Sequence, residues 1–312
     1  MIKKRLLTGL QSSGTLHIGN YFGALKPFAD SYQNYESHLM IADLHALTTV
    51  RDSAILRQNT IDVVKDYLAV GIDPASAIMF RQSDVPEHAE LAWVFECLVT
   101  VPFLMQAHAY KDKVAKGIEA TAGLFNYPML MAADILLYDA EVVPVGEDQR
   151  QHVEYAREAA AKFNHAYGET FTPPQEMIIK SVGVVPGTDG QKMSKSYKNT
   201  IPVFGSREEI QKAVMSIVTD SSGDSPANVY AIHKLLKTET ELASLYDENK
   251  GKYKNLKDAL AEDLDTYFGP MRDIRAAISD DDVRDVLKIG AEQARAKAVV
   301  KMAEVRRRIG IS

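Results

Sequence analysis

Short apolar runs alternate with amphipathic stretches along the first part of this 312-residue chain. The apolar runs predict buried strands at RLLTGL (5–10), HLMIADL (38–44), AIMFRQ (77–82) and VVPV (142–145). The stretches between and after them predict helices over residues 18–33, 53–70, 126–139 and 147–164. Because helices separate successive strands, the pattern predicts an α/β fold, with a Rossmann-like, doubly wound parallel sheet and right-handed crossovers.

Local signals set the limits of two of these helices. Asp52 or Ser53 is a suitable N-cap for helix 53–70, and Gly71 is a suitable stop. Helix 126–139 is expected to begin at Asn126 as its cap, with Pro128 in the first turn.

Strand signals fade after about residue 200. From there, stretches rich in Lys, Glu, Ala and Arg predict helices over residues 206–217, 228–248, 252–278 and 280–308. We therefore expect two domains, an α/β domain over residues 1–200 and an all-helical domain over residues 201–312.

Composition narrows the possible classes of protein. The formal net charge is −6, so the chain has no overall basic field, and any contact with RNA must use a local positive patch. The single cysteine, Cys97, excludes an internal disulfide and a cysteine-built zinc or iron–sulfur site, and we expect it to be buried. Trp93 is likewise expected in the core. No apolar run reaches the roughly 18 residues of a membrane helix, so a cytoplasmic protein without membrane attachment is expected.

The stretch TGLQSSGTLHIGNYFGA (8–24) follows the first strand and opens the first helix. That junction commonly holds a nucleotide phosphate in a parallel α/β sheet, although the stretch is neither a P-loop nor a G-x-G-x-x-G fingerprint. His17 and Asn20 lie three apart, on one face of the first helical turn, where both can donate toward phosphate oxygens. The alternative is a surface histidine beside a glycine turn.

A cluster of lysines occurs in GTDGQKMSKSYKNT (187–200). Lys192, Lys195 and Lys198 are spaced by three, with glycines before them. Such a loop is either a solvated surface segment or a mobile clamp for a polyanion such as a triphosphate, and the stretch by itself does not decide between them.

The pair HIGN (17–20) and KMSKS (192–196) resembles the two signatures of class I aminoacyl-tRNA synthetases. The second matches at every position, and the first departs only at Asn20, as in the tryptophan branch of that class. The resemblance implies ATP-dependent formation of an aminoacyl-adenylate, followed by transfer to tRNA. It assigns catalytic roles to His17, Asn20, Lys192 and Lys195. The two lysines would hold the leaving pyrophosphate, while Mg²⁺ accompanies ATP and no metal is tightly held by protein ligands.

The same resemblance implies an ATP site. Its expected residues are Gln11, Ser12, Ser13, Gly19, Asn20, Gly146, Glu147, Asp148, Val184, Lys192, Met193, Ser194, Lys195 and Ser196. Asp148 would bind the ribose hydroxyls, and Ser12 stands where the family usually has proline. Lys111 and Lys113 resemble basic residues of a loop that reaches ATP, although a solvated face is an equal alternative.

Tyr127, Met131 and Asp134 fall on one face of a helix. The residues on either side of Asp134 are apolar. A carboxylate in such surroundings needs a hydrogen-bond donor, which either another part of the protein or the substrate supplies. An indole N–H is a donor only, and Met131 suits a large ring, so tryptophan is favoured over tyrosine. The resemblance adds further tryptophan-binding residues: Gln149, Leu7, Val143, Val145 and His45. His45 has a structural role as its alternative.

Basic residues crowd the last helix, at Arg295, Lys297, Lys301, Arg306, Arg307 and Arg308. They form either a footprint for RNA phosphates or a solvated helix end. The resemblance implies that the helical domain binds the tRNA anticodon and that the protein is a homodimer.

Three other functions compete with a tryptophan-specific ligase. Met131, Asn20 and the VGEDQ turn (145–149) oppose a tyrosine enzyme. A sensor that binds tryptophan or tRNA without ligating them would not need intact HIGN and KMSKS motifs. A plain nucleotidyltransferase would not need the long helical domain.

Overall fold

The computed structural model describes residues 3–10, 14–115, 117, 119–145, 150–178, 184–219 and 225–311. Within them lies a sheet of five parallel strands, β1 Arg5–Leu10, β2 Glu36–Ile41, β3 Ala77–Arg81, β4 Val142–Val145 and β5 Gln175–Ile178. Their order is β3-β2-β1-β4-β5. The chain moves outward from β1 to β3 and returns to the other side of β1, which confirms the doubly wound prediction. The crevice expected for a ligand therefore lies at the carboxyl ends of β1 and β4.

The sequence pattern misplaced part of the sheet. β5 was not predicted, and the run 38–44 is a strand only as far as Ile41. Asp43 turns away from the sheet because its carboxylate accepts hydrogen bonds from the backbone N–H and the hydroxyl of Ser83. The chain forms the short helix α3 there, at Asp43–Ala46.

Helices of the first part connect the strands. They are α1 Ile18–Asn20, α2 Lys26–Ala29, α4 Ser53–Ala69, α5 Glu87–Glu96, α6 Val101–Leu104, α7 His108–Ala115, α8 Ala122–Leu137 and α9 Arg150–Tyr167. A π-helical turn, Tyr21–Leu25, joins α1 to α2. Pro27, which has no N–H to donate, follows this turn. The predicted helix 18–33 ends early, at Ala29.

The predicted limits are right for α4 and wrong for the start of α8. The Asp52 carboxylate caps α4 by accepting from the N–H groups of Ala54 and Ile55. Helix α8 begins at Ala122, with the Thr121 hydroxyl as its cap. Asn126 therefore lies inside this helix, because Thr121 offers a cap one turn earlier.

The second half is helical in its described residues, as the sequence predicted. It contains α10 Arg207–Met215, α11 Ala227–His233, α12 Glu239–Glu248, α13 Tyr253–Ala277 and α14 Asp280–Ile309. The single helix expected over 228–248 is two helices. They separate where Thr238 and Glu241 form a capping box that starts α12.

The last helix, α14, packs directly on the sheet. A Cβ atom on Gly290 would lie 1.8 Å from the carbonyl oxygen of Met79 in β3, so only glycine allows this approach. Farther along α14, Ala294 and Met302 belong to the same apolar cluster as Leu7 and Val143 of the sheet. The division near residue 200 stays a prediction, and this helix packs with the part of the chain before it.

Two residues expected in the core are on the surface. Trp93 is 66% exposed, and Cys97 is also exposed. Both lie on the outer side of α5 and its C-cap, because the inner side buries Leu91 and Phe95. No helix in the described ranges is long and apolar enough to cross a membrane.

Candidate active site

The two signature segments lie together in the fold. The backbone N–H of Ile18 donates to Ile201 O at 3.0 Å, and that of Val203 donates to Leu16 O at 3.0 Å. The Lys195 ammonium reaches across to the carbonyl oxygen of Gly14 at 3.0 Å. The segment after the lysines is thus tied to the start of the first helix, and one lysine extends toward the glycine turn.

His17 is the cap of that helix start. Its Nδ1 accepts a hydrogen bond from the backbone N–H of Asn20 at 3.2 Å. Burial, helped by the positive charge of Lys195, lowers the pKa of His17 to about 4. The imidazole is therefore neutral at neutral pH, and since Nδ1 accepts, its proton is on Nε2, ready to donate. Asn20 itself is exposed.

Gly19 allows the two signatures to come into contact. A Cβ atom there would lie 3.1 Å from His17 Nδ1 and 3.2 Å from Met193 Cβ. Met193 is buried, at 4% exposure, so it anchors the KMSKS segment against the helix start. A side chain at position 19 would require His17 or Met193 to shift by a few tenths of an ångström.

The other residues of this segment face outward. Lys192, Lys195 and Ser196 are exposed, and the hydroxyls of Ser194 and Ser196 lie 2.8 Å apart. Burial of its ammonium group nevertheless lowers the pKa of Lys195, although Asp66 opposes this effect. Val184, expected near adenine, is 69% exposed.

Asp134 is almost completely buried and already has three donors. His45 Nε2 lies 2.8 Å from Oδ2, while His88 Nδ1, at 2.6 Å, and Gln82 Nε2, at 2.8 Å, lie against Oδ1. Burial alone would raise the pKa of Asp134, but the hydrogen bonds from His45 and His88 outweigh it and hold the pKa at about 2. The carboxylate is thus ionised, and the protein itself supplies three of its donors.

Tyr138 completes this polar network. Its hydroxyl lies 2.8 Å from His88 Nε2 and donates to it, since His88 Nδ1 donates to Asp134. Burial and the charge of Asp134 raise the pKa of Tyr138, which keeps the hydroxyl protonated. Sequence reasoning missed Gln82, His88 and Tyr138. Only Gln82 gave a signal, because it follows the carboxyl end of β3, at the edge where ligands bind.

The residues expected to form the apolar walls belong to one buried cluster. Leu7, Val143 and Val145 are each 3% exposed, and the half-buried Met131 packs on the same cluster. The hydroxyl of Tyr127 is 2.8 Å from His152 Nε2, and burial raises the pKa of Tyr127 to about 12, so the hydroxyl stays neutral. Their roles in a tryptophan pocket stay predictions.

Several predicted site residues lie outside the described residues. They are Gln11, Ser12, Ser13, Gly146, Glu147, Asp148 and Gln149. In the sequence they directly follow β1 and β4, the two strands that flank the expected crevice. Their roles stay predictions. Lys111 donates to Gln106 Oε1 at 3.3 Å, and the side chain of Lys113 is also outside the described part.

The basic residues of α14 do not form a free positive patch. They pair with the protein's own acceptors: Arg295 with Glu87, Lys297 with Glu36, Lys301 with Asp139, Arg306 with Glu90, and Arg308 with the carbonyl of Glu169. Arg307 is exposed. Neighbouring carboxylates offset much of the charge of these residues, and the RNA footprint on this helix stays a prediction. The alternative of a solvated helix end also stays open, because Arg295, Arg307 and Arg308 are exposed.

Comparison with known proteins places the chain in a family. The family model described as tRNA synthetases class I (W and Y) matches residues 3–274. The Tryptophan--tRNA ligase of Fusobacterium nucleatum is 44% identical over 99% of this chain and 98% of its own length. That of Rhodopirellula baltica is also 44% identical, over 98% of this chain and 99% of its own length.

Solved structures agree. A tryptophanyl-tRNA synthetase of Campylobacter jejuni, complexed with ADP and tryptophan, is 42% identical, with a TM-score of 0.93 over 98% of this chain and 99% of that one. A tyrosyl-tRNA synthetase of Archaeoglobus fulgidus is 21% identical, with a TM-score of 0.66 over 88% of this chain and 90% of that one, and shares the fold. The chain therefore belongs to the class I tRNA synthetases for tryptophan and tyrosine, and within them to the tryptophan--tRNA ligases.

Proposed function

We propose that this chain activates L-tryptophan with ATP and attaches it to its tRNA through a tryptophanyl-adenylate, with Asp134 as the acceptor for the indole N–H. The observation that carries the proposal is a buried, ionised carboxylate at the wall of an apolar cluster. An ionised acceptor in such a site favours a ring that brings a further donor.

The hydrogen-bonding capacity of Asp134 leaves room for that donor. A carboxylate oxygen has two lone pairs. Oδ1 accepts from both His88 and Gln82, whereas Oδ2 accepts from His45 alone among the described residues. The indole N–H would take the remaining position on Oδ2. Phenylalanine would leave it empty, and this supports discrimination without an editing site.

The ATP side of the proposal uses His17 and the lysines. A carboxylate oxygen of tryptophan attacks the α-phosphorus of ATP, and pyrophosphate leaves with the electron pair of the broken P–O bond. Negative charge grows on the phosphate oxygens during this step. His17 would donate from Nε2, and Lys192 and Lys195 would hold the pyrophosphate, while Mg²⁺ would arrive on the phosphates of ATP. A ribose hydroxyl of tRNA then attacks the acyl carbon and AMP leaves.

We also propose a homodimer whose helical half binds the tRNA anticodon. The family resemblance gives this expectation, and a group of exposed apolar side chains supports the dimer. Trp93 and Val101, in α5 and α6, and Cys97 and Met105, which follow these two helices, are all exposed. Exposed apolar side chains that are grouped in one part of the chain are typical of an interface. Analytical ultracentrifugation tests the proposed dimer. The wild type is expected to sediment as a dimer and Trp93→Asp as a monomer.

The first experiment is ATP–pyrophosphate exchange by the purified protein, with tryptophan and with tyrosine in parallel. Exchange with tryptophan alone is the expected result. Exchange with tyrosine alone would overturn the assignment of Asp134 and Met131. Tryptophan binding with no exchange would favour the sensor function.

A further inference from the structure

Asn199 is a buried polar side chain within a largely exposed segment. We call residues 187–200 the lysine loop. In this loop Lys192, Lys195, Tyr197 and Lys198 are exposed, whereas Asn199 is 2% exposed. Burying a carboxamide is unfavourable unless its hydrogen bonds are made, so its contacts indicate what it does.

The Asn199 side chain bonds three separate points of the loop. Its Oδ1 accepts from the backbone N–H of Ser194 at 2.7 Å. Its Nδ2 donates to the Asp189 carboxylate at 2.7 Å and to the carbonyl of Lys192 at 3.2 Å. The bonded backbone positions thus lie on either side of Met193, directly beside the two lysines of the motif.

The loop is wrapped closely around this side chain. A Cβ atom on Gly187 would lie 2.3 Å from the Asn199 amide, so glycine is needed at that position. The backbone N–H of Thr188 also donates to the Asn199 carbonyl at 2.9 Å. Asp189 is in turn fixed by the backbone N–H of Gln191, at 3.0 Å.

We propose that Asn199 is a positioning residue for adenylate formation, which holds the lysine loop in the shape from which Lys192 and Lys195 reach the phosphates. This inference rests on the proposed function. The backbone of this loop is already fixed at Lys192 and Ser194. Less conformational entropy is therefore lost when the two lysine ammonium groups become ordered at the phosphates. The bond from Lys195 to Gly14 O fits this shape, because it crosses to the glycine turn.

The chemistry requires asparagine and not aspartate at this position. An aspartate could still accept from Ser194 N–H, but it has no donor for the Lys192 carbonyl. It would also place a second carboxylate against Asp189, at the position where the amide now donates. Asn199→Asp therefore changes the hydrogen bonds of this side chain while keeping its size and shape almost unchanged.

The test compares four variants in ATP–pyrophosphate exchange, with KM for ATP, kcat and the tryptophan Kd measured separately. Asn199→Asp should lower kcat/KM for ATP about tenfold or more and leave the tryptophan Kd within about twofold. Adding Asp189→Asn should recover part of this loss, because the new amide can donate to the carboxylate introduced at position 199. Asn34→Asp, at an exposed asparagine elsewhere, is the matched control and should change nothing.

Asp189→Ala keeps the inference testable if the Asn199 variant does not fold. Asp189 is exposed, so its loss should leave folding intact while removing one partner of Asn199, with about a threefold drop in kcat/KM for ATP. The inference is overturned if both single variants match the wild type, or if the double variant is no better than Asn199→Asp. No exchange with tryptophan by the wild type would instead overturn the proposed function.

Discussion

Replacing Asp134 with asparagine tests the tryptophan pocket most directly. The substitution keeps the shape of the side chain but removes its charge and turns one acceptor oxygen into a donor amide. Three donors already face the carboxylate, from His45, His88 and Gln82. Gln82 and His88 both donate to Oδ1, so the amide oxygen of the new asparagine should occupy that position. The new NH₂ group would then take the place of Oδ2.

The cost to tryptophan binding follows from that orientation. The amide would face His45 and the indole N–H. His45 can change its tautomer and accept, but an indole nitrogen cannot. Losing a hydrogen bond to a charged acceptor and leaving two donors opposed costs about 3 kcal/mol, which is roughly a hundredfold in the tryptophan KM. The KM for ATP should stay within about twofold, because Asp134 is not among the groups expected to touch the nucleotide.

Pyrophosphate exchange measures both constants, and two controls sharpen it. Asp139→Asn makes the same chemical change five residues along the chain, where the carboxylate pairs with Lys301, and should leave both KM values unchanged. A tryptophan analogue with sulfur in place of the indole N–H should be a poor substrate for the wild type. The variant should accept the analogue and tryptophan about equally. If Asp134→Asn binds tryptophan as the wild type does, Asp134 is not the indole acceptor.

Two further substitutions and one pH dependence extend these tests. Lys195→Ala should lower kcat for exchange by roughly tenfold to a hundredfold with little change in tryptophan KM, and unchanged kcat would remove Lys195 from the site. Gly290→Ala should cost several kcal/mol in urea unfolding, of order 2–5, because its Cβ would meet the carbonyl of Met79 at 1.8 Å; Gly123→Ala, with open space around it, is the control and should not destabilise. The folded pKa of Asp134, about 2, is below its ordinary value of 3.8, so its contribution of about 2 kcal/mol is complete above pH 4 and is lost as the pH falls toward 2. Unfolding free energies of the wild type and Asp134→Asn should therefore converge in acid, and parallel curves would contradict this.

Local chemistry explains why part of the architecture was predictable. The lengths of the apolar runs located β1 and β4, because a parallel strand that is buried on both faces is continuously apolar. Helix α4 was located by its amphipathic pattern and by Asp52, which caps it. The motif residues His17 and Lys195 were likewise visible, since short signatures are contiguous in sequence. The start of α8 was misplaced because two suitable caps, Thr121 and Asn126, compete, and only packing selects between them.

Tertiary structure alone decided which side chains meet. The sequence determined the doubly wound order of elements and the residues that carry the chemistry, because periodicity and motifs are local properties of the chain. It gave no signal for His88 and Tyr138 beside Asp134, nor for Glu87 and Glu90 against the arginines of α14. These partners come from separate elements, so their distances, and with them the ionisation of Asp134 and the neutralised charge of the last helix, depend on how helices pack on the sheet.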